Sequence, residues 1–286
     1  MKHLKSINES LNTTTLTKDE VIEILMTKCK KFLNWGKDYT EGCLIYRKDE
    51  NRGDFLLVNP KISSQDRIAP YAFKNYHNLL ISNLESWKDW PRRNKSLICA
   101  SSYRALSHGG GFIKGPSVDY VIIPFDDTML ATGDRGDFWN CFSNLPKDEE
   151  FSEEDLDRPS IAYYMISLVH ELDRNVKPSL NTNWNELKSF LEESEASEHI
   201  ISKYFTTDHE VLWDDSLNLL ENLNILLDPK NNNFKLTDIV GVMNMYSQLD
   251  TNESEALESW FEDESIMIRL DKVTEILKEL NLEWDI

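Results

Sequence analysis

The chain has 286 residues, of which 40% are hydrophobic and 10% aromatic, and it carries a formal net charge of −19. This apolar content is enough for a substantial core and argues against wholesale disorder in spite of the charge. No apolar run approaches the roughly 20 residues that a membrane-spanning helix needs, and no apolar stretch follows the N-terminal lysines, so neither membrane insertion nor a secretory signal is predicted.

The charge is distributed unevenly along the chain. Residues 1–145 contain 20 Lys/Arg and 17 Asp/Glu, whereas residues 146–286 contain 11 and 33, a net of about −22. Because nucleic-acid binding depends on neutralising phosphates with basic side chains, the acidic half is not expected to bind nucleic acid directly, nor to bind anionic membranes. The four cysteines are Cys29, Cys43, Cys99 and Cys141. They lie far apart and form no C-x-x-C pair, which indicates reduced, mostly buried thiols and a cytoplasmic location.

The predicted elements begin after a polar tail at residues 1–15. Thr17 and Glu20 have the spacing of a capping box, and apolar residues at helical spacing predict a helix from Thr17 that ends at Gly36. Apolar runs at 42–47 and 54–58 predict two strands whose connecting turn would allow a hairpin. A second helix is predicted after Pro70.

Two more strands are predicted before the acidic half, at 96–101 and 118–124, and the second is β-branched and bounded by turn residues. Glycine-rich loops are predicted at 108–117 and 131–139. Beyond residue 146 the apolar residues recur at helical spacing, for example from Ile161, Ile239 and Ile266. One segment differs, because residues 209–213 are apolar towards their end and predict a strand.

These patterns predict an α+β fold: a small twisted mixed sheet with helices, elaborated by a largely helical acidic C-terminal half. Residues 1–15 would form a flexible tail, 16–145 the α+β part, and 146–286 the acidic helical part. Within the acidic part, residues 205–215 could form a strand that pairs with the N-terminal sheet. No metal is expected, because the His170-Glu171 pair lacks a second histidine and residues 228–239 lack the glycine and final glutamate of a calcium loop.

Three separated segments carry polar residues at the ends of predicted strands. They are Tyr46-Arg47, Ala100-Ser101-Ser102 and Asp208-His209-Glu210. In this order they resemble the arginine–serine–glutamate type of the ADP-ribosyltransferase superfamily, in which an arginine strand, a Ser-Thr-Ser strand and a glutamate strand follow one another. The resemblance covers roughly residues 40–60, 90–130 and 205–215. Two departures are that Ala100 stands at the usual first serine and Asp208 at the usual Glu or Gln.

The resemblance implies that NAD is the co-substrate. Arg47, with Tyr46 before it, would anchor NAD, because a guanidinium forms planar charge-assisted hydrogen bonds to phosphate or ribose. Ser101 and Ser102 would brace the nicotinamide ribose. His108 would take the place of the aromatic residue before a glycine that follows the serines in this family.

The resemblance also implies the reacting groups. Glu210 would be the catalytic carboxylate that stabilises an oxocarbenium-like state, and Asp208 would lie on the same side of the strand, where the family places the residue that activates the acceptor. The same residues also allow structural interpretations: Arg47 in a surface ion pair, the serines as a helix cap, and Glu210 as one exposed acid of many.

Two functions therefore stand side by side. One is an NAD-dependent mono-ADP-ribosyltransferase, or NAD glycohydrolase, that acts on a protein or other intracellular acceptor. The alternative is a non-enzymatic interaction or assembly protein that binds a basic partner through residues 146–286, since a long-range acidic field speeds association with basic surfaces.

Overall fold

The computed structural model describes residues 11–38, 44–62, 81–102, 117–134, 138–142, 214, 216–249 and 256–282. The chain divides into two compact units. The first comprises Met1–Asn75, Trp90–Asp137 and Lys235–Ile286, and the second comprises Tyr76–Asp89 and Phe138–Phe234. Each unit therefore joins segments that are far apart in the sequence.

The first unit is built on a nine-stranded sheet. Its strands are β1 (Thr13–Thr15), β2 (Ile45–Glu50), β3 (Phe55–Val58), β4 (Leu97–Ala100), β5 (Ser117–Pro124), β6 (Leu130–Thr132), β7 (Lys235–Thr237), β8 (Glu258–Phe261) and β9 (Ser265–Arg269). Their order is β1-β3-β9-β5-β2-β4-β8-β6-β7, and all neighbouring strands pair antiparallel. Both β8 and β9, from near the C-terminus, thus lie in the interior of the sheet.

Four helices of this unit form a continuous layer. They are α1 (Lys18–Lys28), α2 (Lys30–Asp38), α4 (Ile239–Tyr246) and α5 (Leu270–Glu279). Helix α5 packs against β5 and β9, α4 packs against β6 and β7, and α1 and α2 connect these two helices. The shared core contains residues from all four helices and from the middle of the sheet, which include Leu25, Phe32, Val242 and Ile276.

The first predicted helix is in fact two helices. The capping box of Thr17 and Glu20 is confirmed at the start of α1. The helix ends at Cys29, however, because the carboxylate of Asp126 accepts hydrogen bonds from the backbone N–H groups of Lys30 (2.9 Å) and Lys31 (2.8 Å) and so caps a new helix. Gly36, the predicted end, lies buried within α2.

The predicted small mixed sheet with a helical C-terminal half is wrong. The sheet is large and antiparallel, and residues from the acidic half supply β7, β8 and β9. Residues 258–261 were not predicted as a strand, because the acidic residues around them are more typical of a solvent-exposed loop. The run from Ile266 to Ile268 is continuously apolar, and periodicity alone cannot separate a buried strand of this kind from part of a helix.

The predicted N-terminal strands are close to the observed β2, β3, β4 and β5, but the predicted hairpin is wrong, because β9 and β5 lie between β3 and β2. Besides β7, β8 and β9, two segments of the N-terminal half were not predicted as strands: Thr13–Thr15, which form the edge strand β1, and Leu130–Thr132, which form β6. The helix predicted from Ile239 is confirmed as α4. The strand predicted at 209–213 lies outside the described residues.

The second unit has an aromatic cluster at its centre. The rings of Trp87, Phe138, Phe142 and Phe234 have centroids 5.0–6.2 Å apart. The indole N–H of Trp87 donates to the carbonyl of Leu227 at 2.7 Å, just after helix α3 (Leu219–Leu226). This hydrogen bond satisfies the polar atom of a buried indole.

Candidate functional site

Strands β2, β4 and β8 lie side by side in the middle of the sheet, and they carry the candidate site. Tyr46 of β2 lies opposite Ala100 of β4, and Ala100 lies opposite Glu258 of β8. Directly opposed residues of antiparallel strands point to the same face, with Cβ atoms about 4.5–5.5 Å apart. Tyr46, Ala100 and Glu258 therefore form one row across three strands.

Arg47 ties β2 to β4 through its side chain. It is only 8% exposed, its Nε donates to Asp49 Oδ2 at 3.1 Å, and its Nη1 donates to the carbonyl of Ile98 at 2.9 Å. Strands β2 and β4 pair through a single residue pair, Tyr46 with Ala100, so this guanidinium supplies a second link between the strands. Arg47 is thus a buried, oriented cation and not the surface ion pair of the structural interpretation.

Ser101 extends the pairing of β4 with β8 by one residue. Its N–H donates to the carbonyl of Leu257 at 3.0 Å, and its hydroxyl accepts from the N–H of Leu257 at 2.8 Å. The hydroxyl therefore holds the ends of the two strands together. Ser102 is half-buried and follows directly. Tyr46 is buried in the core beside Arg47.

Three of the predicted site residues lie outside the described residues: His108, Asp208 and Glu210. Their assignments stay predictions. Of the predicted set, the structure places Tyr46 and Arg47 on the strand beside β4, which Ser101 directly follows.

Glu258 is a further carboxylate in this row, and the sequence analysis did not single it out. It begins β8, its side chain is 14% exposed, and its Oε1 pairs with Nη1 of Arg93. The backbone carbonyl of Glu258 accepts from the N–H of Gly133 at 3.1 Å, so its main chain is fixed as well. A signal was present, because Glu258 is followed by Ser-Trp-Phe and so is a glutamate at the start of an apolar run. The neighbouring acids made the segment resemble a solvated loop.

The turn that carries Arg93 is attached to β8 at several points. The Arg93 guanidinium lies over the ring of Trp260, 5.5 Å from its centroid, and the indole N–H of Trp260 donates to the carbonyl of Pro91 at 2.9 Å. The neighbouring Arg92 pairs with Glu262, with Nη2 and Oε2 3.2 Å apart. The guanidinium of Arg93 is therefore held by an aromatic face on one side and a carboxylate on the other.

A buried chain of hydroxyl groups lies on the opposite face of β8. Ser259 Oγ is 2.7 Å from Thr132 Oγ1 and 2.5 Å from the hydroxyl of Tyr246. Burial raises the pKa of Tyr246 above its usual range, with smaller contributions from Cys99 and Glu258. The phenol therefore stays protonated, and this chain fixes β8 and α4 to each other without a charge.

Further observations concern the cysteines, the possible metal ligands and the helices of the described ranges. Cys29, Cys99 and Cys141 are buried thiols without disulfides, as predicted. Within 11–38, 44–62 and the other described ranges, no group of three or more His, Cys, Asp or Glu is arranged to hold a metal ion. No helix in that part of the chain is both long and apolar enough to cross a bilayer. Comparison with protein-family models, with curated proteins and with solved structures gives no match for this chain.

Proposed function

We propose that this protein is an NAD-dependent mono-ADP-ribosyltransferase, or NAD glycohydrolase, that acts on a protein or other intracellular acceptor. The observation that carries the proposal is the neighbourhood of β2, β4 and β8. These adjacent strands bear Arg47, Ser101 and Glu258, which are the three residue types, on three strands, that the sequence resemblance leads us to expect.

The residue types suit the cleavage of NAD. Breaking the bond between nicotinamide and ribose passes through an oxocarbenium-like state, and a fixed carboxylate that accepts the ribose 2′-hydroxyl stabilises the growing positive charge. A guanidinium matches the geometry of phosphate oxygens. Arg47, held by Asp49 and by the carbonyl of Ile98, has the fixed orientation that anchoring an anion requires.

Two carboxylates compete for the catalytic role. Glu258 lies directly opposite Ala100, the residue before Ser101, whereas Glu210 is favoured by the sequence pattern alone. Because the serine strand and the glutamate strand must be close for both to contact one ribose, the observed pairing favours Glu258. Because side chains alternate along a strand, Glu258 shares a face with Ala100 and Tyr46, whereas Arg47 and Ser101 point to the other face. We therefore expect the nicotinamide ribose at the ends of β4 and β8, where Ser101 and Glu258 lie close together, and not over β2, where Tyr46 is buried in the core.

The test is the release of nicotinamide from NAD labelled in its nicotinamide ring, together with transfer of label from adenine-labelled NAD to protein acceptors in a cell extract. The purified full chain should release nicotinamide, and Glu258→Gln should lower the rate at least about 100-fold. Glu210→Gln decides between the two carboxylates. Glu23→Gln, at an exposed glutamate of α1, is the matched control and should keep full activity.

Absence of both nicotinamide release and label transfer by the unmodified chain would refute the enzymatic proposal. So would equal rates for the unmodified chain, Glu258→Gln and Glu210→Gln. A loss confined to Glu210→Gln would keep the function and move the carboxylate to residue 210.

A second candidate function rests on the net charge of about −22 over residues 146–286, which would attract a basic protein partner. The test uses the full chain, because residues 258–269 belong to the interior of the sheet. Binding to an arginine-rich peptide should weaken with added salt and on replacing Glu149, Glu150, Glu153 and Glu154 by Gln. Salt-independent binding, or binding unchanged by the four substitutions, would count against this function.

A further inference from the structure

The Glu258 side chain needs a partner if it is to act as a fixed carboxylate. A glutamate has three rotatable side-chain bonds, and an ionised carboxylate that is mostly removed from water is costly unless it is paired. The carboxylate of Glu258 is mostly buried, and its Oε1 meets the Arg93 guanidinium, whose side chain is 7% exposed. The pairing both compensates the charge and restricts the side chain.

Arg93 is itself held in place by its own turn. Residues Arg93–Lys95 form a single turn of 3-10 helix, the N–H of Lys95 donates to the carbonyl of Arg92 at 2.9 Å, and the hydroxyl of Ser96 donates to the same carbonyl at 2.8 Å. Trp260 lies beneath the guanidinium and also donates to Pro91. The cation is thus fixed relative to β8, the strand on which Glu258 stands.

We infer that Arg93 is a positioning residue for Glu258, an inference that rests on the proposed function. Arg93 engages Oε1, which leaves Oε2 to accept the 2′-hydroxyl of the NAD ribose. In the oxocarbenium-like state the carboxylate must keep its direction, and the guanidinium holds it there. Arg93 acts only through Glu258 and makes no contact with NAD.

The experiment measures kcat and KM for nicotinamide release by Arg93→Met, Arg93→Lys and the matched control Arg92→Met. Because a carboxylate displaced by about 1 Å costs on the order of 100-fold in rate, Arg93→Met should lower kcat by about that factor while KM for NAD changes less than about twofold. Arg93→Lys keeps the charge but loses the planar guanidinium, so its kcat should lie between that of Arg93→Met and that of the unmodified chain. Arg92→Met should retain activity, because the Arg92 side chain is half-exposed and pairs with Glu262.

The outcomes separate this inference from the function on which it rests. If the unmodified chain is inactive, the proposed function fails and the inference falls with it. If the unmodified chain is active, Glu258→Gln is inactive and Arg93→Met is fully active, only the inference is overturned. A raised KM with unchanged kcat would also overturn it, since it would assign Arg93 to NAD binding. Should Arg93→Met fail to fold, equal kcat in Arg93→Lys and the unmodified chain is the overturning result.

Discussion

Two buried arginine–carboxylate pairs flank strand β4, and they differ in how the chain assembles them. Arg47 and Asp49 are two residues apart on β2, and Nε and Oδ2 are 3.1 Å apart. Arg93 and Glu258 are 165 positions apart, so their pairing needs the sheet to be complete. The first pair is a property of one strand, whereas the second joins distant parts of the chain. The same type of ion pair therefore stabilises a single strand in one case and joins distant segments of the chain in the other.

The largest effect is expected at the long-range pair. Arg93→Met should lower the free energy of unfolding by about 3–5 kcal/mol, because it leaves the Glu258 carboxylate mostly buried without its cation. Urea unfolding followed by tryptophan fluorescence measures the change. The double variant Arg93→Met/Glu258→Gln should recover most of the loss. A double variant as unstable as Arg93→Met alone would show that the pair is not what stabilises this part of the sheet.

A smaller effect is expected at the local pair. Asp49 accepts hydrogen bonds from Arg47 and from the N–H of Glu50 (2.7 Å), and Arg52 Nε lies 3.5 Å from its Oδ1. Asp49→Asn keeps one acceptor oxygen and the same shape, so we expect a loss of about 2 kcal/mol, the typical worth of a hydrogen bond to a charged group. The same urea experiment measures it. A loss larger than that of Arg93→Met would reverse the proposed order of the two pairs.

The turn after β2 offers a finer test of the local pair. The hydroxyl of the buried Tyr120 accepts from the N–H of Arg52 at 3.1 Å and donates to the carbonyl of Gly53 at 3.0 Å. Tyr120→Phe should therefore cost about 1 kcal/mol without changing nicotinamide release. Loss of activity in this variant, with the fold intact, would mean that Arg52 and its turn take part in the site.

The smallest effect on stability is expected at the partly exposed pair of Lys31 and Asp238, with which the two buried pairs can be compared. The Lys31 ammonium, 2.9 Å from Asp238, and the N–H of Gly241 lower the pKa of Asp238 below its ordinary value of 3.8. A lowered folded-state pKa gives stability that is present above the unfolded pKa and is lost as the pH falls through the folded pKa. Asp238→Asn and Lys31→Met should each make stability less steeply dependent on pH below about pH 4. Unchanged pH profiles in both variants would contradict this assignment.

Local signals in the sequence were sufficient for some elements. The capping box at Thr17 is complete within four residues, and the β-branched run that forms β5 is bounded by turns, so both could be predicted. The break at Cys29 could not, because it depends on the carboxylate of Asp126, almost a hundred residues away. The sequence likewise contains nothing local that says β9 pairs between β3 and β5.

In the candidate site too, residues with a local sequence signal could be predicted, and residues defined by long-range contacts could not. Arg47 and Ser101 were predicted from their short motifs, and the structure places β2 beside β4. The sequence did not single out Glu258, because its place opposite Ala100 depends on a long-range pairing and because acidic neighbours obscured its strand. Arg93 was missed for a related reason, since its partners Glu258 and Trp260 are both remote in the sequence.

The strand order has a consequence for the chain as the ribosome makes it. Without β8 and β9, the remaining pairings give three separate pieces: β1 with β3, β5 with β2 and β4, and β6 with β7. Each piece has unpaired edges of the kind that promote aggregation, and they can join only after residues 258–269 have emerged. We therefore expect late, slow closure of the sheet and a dependence on chaperones until translation reaches those two strands.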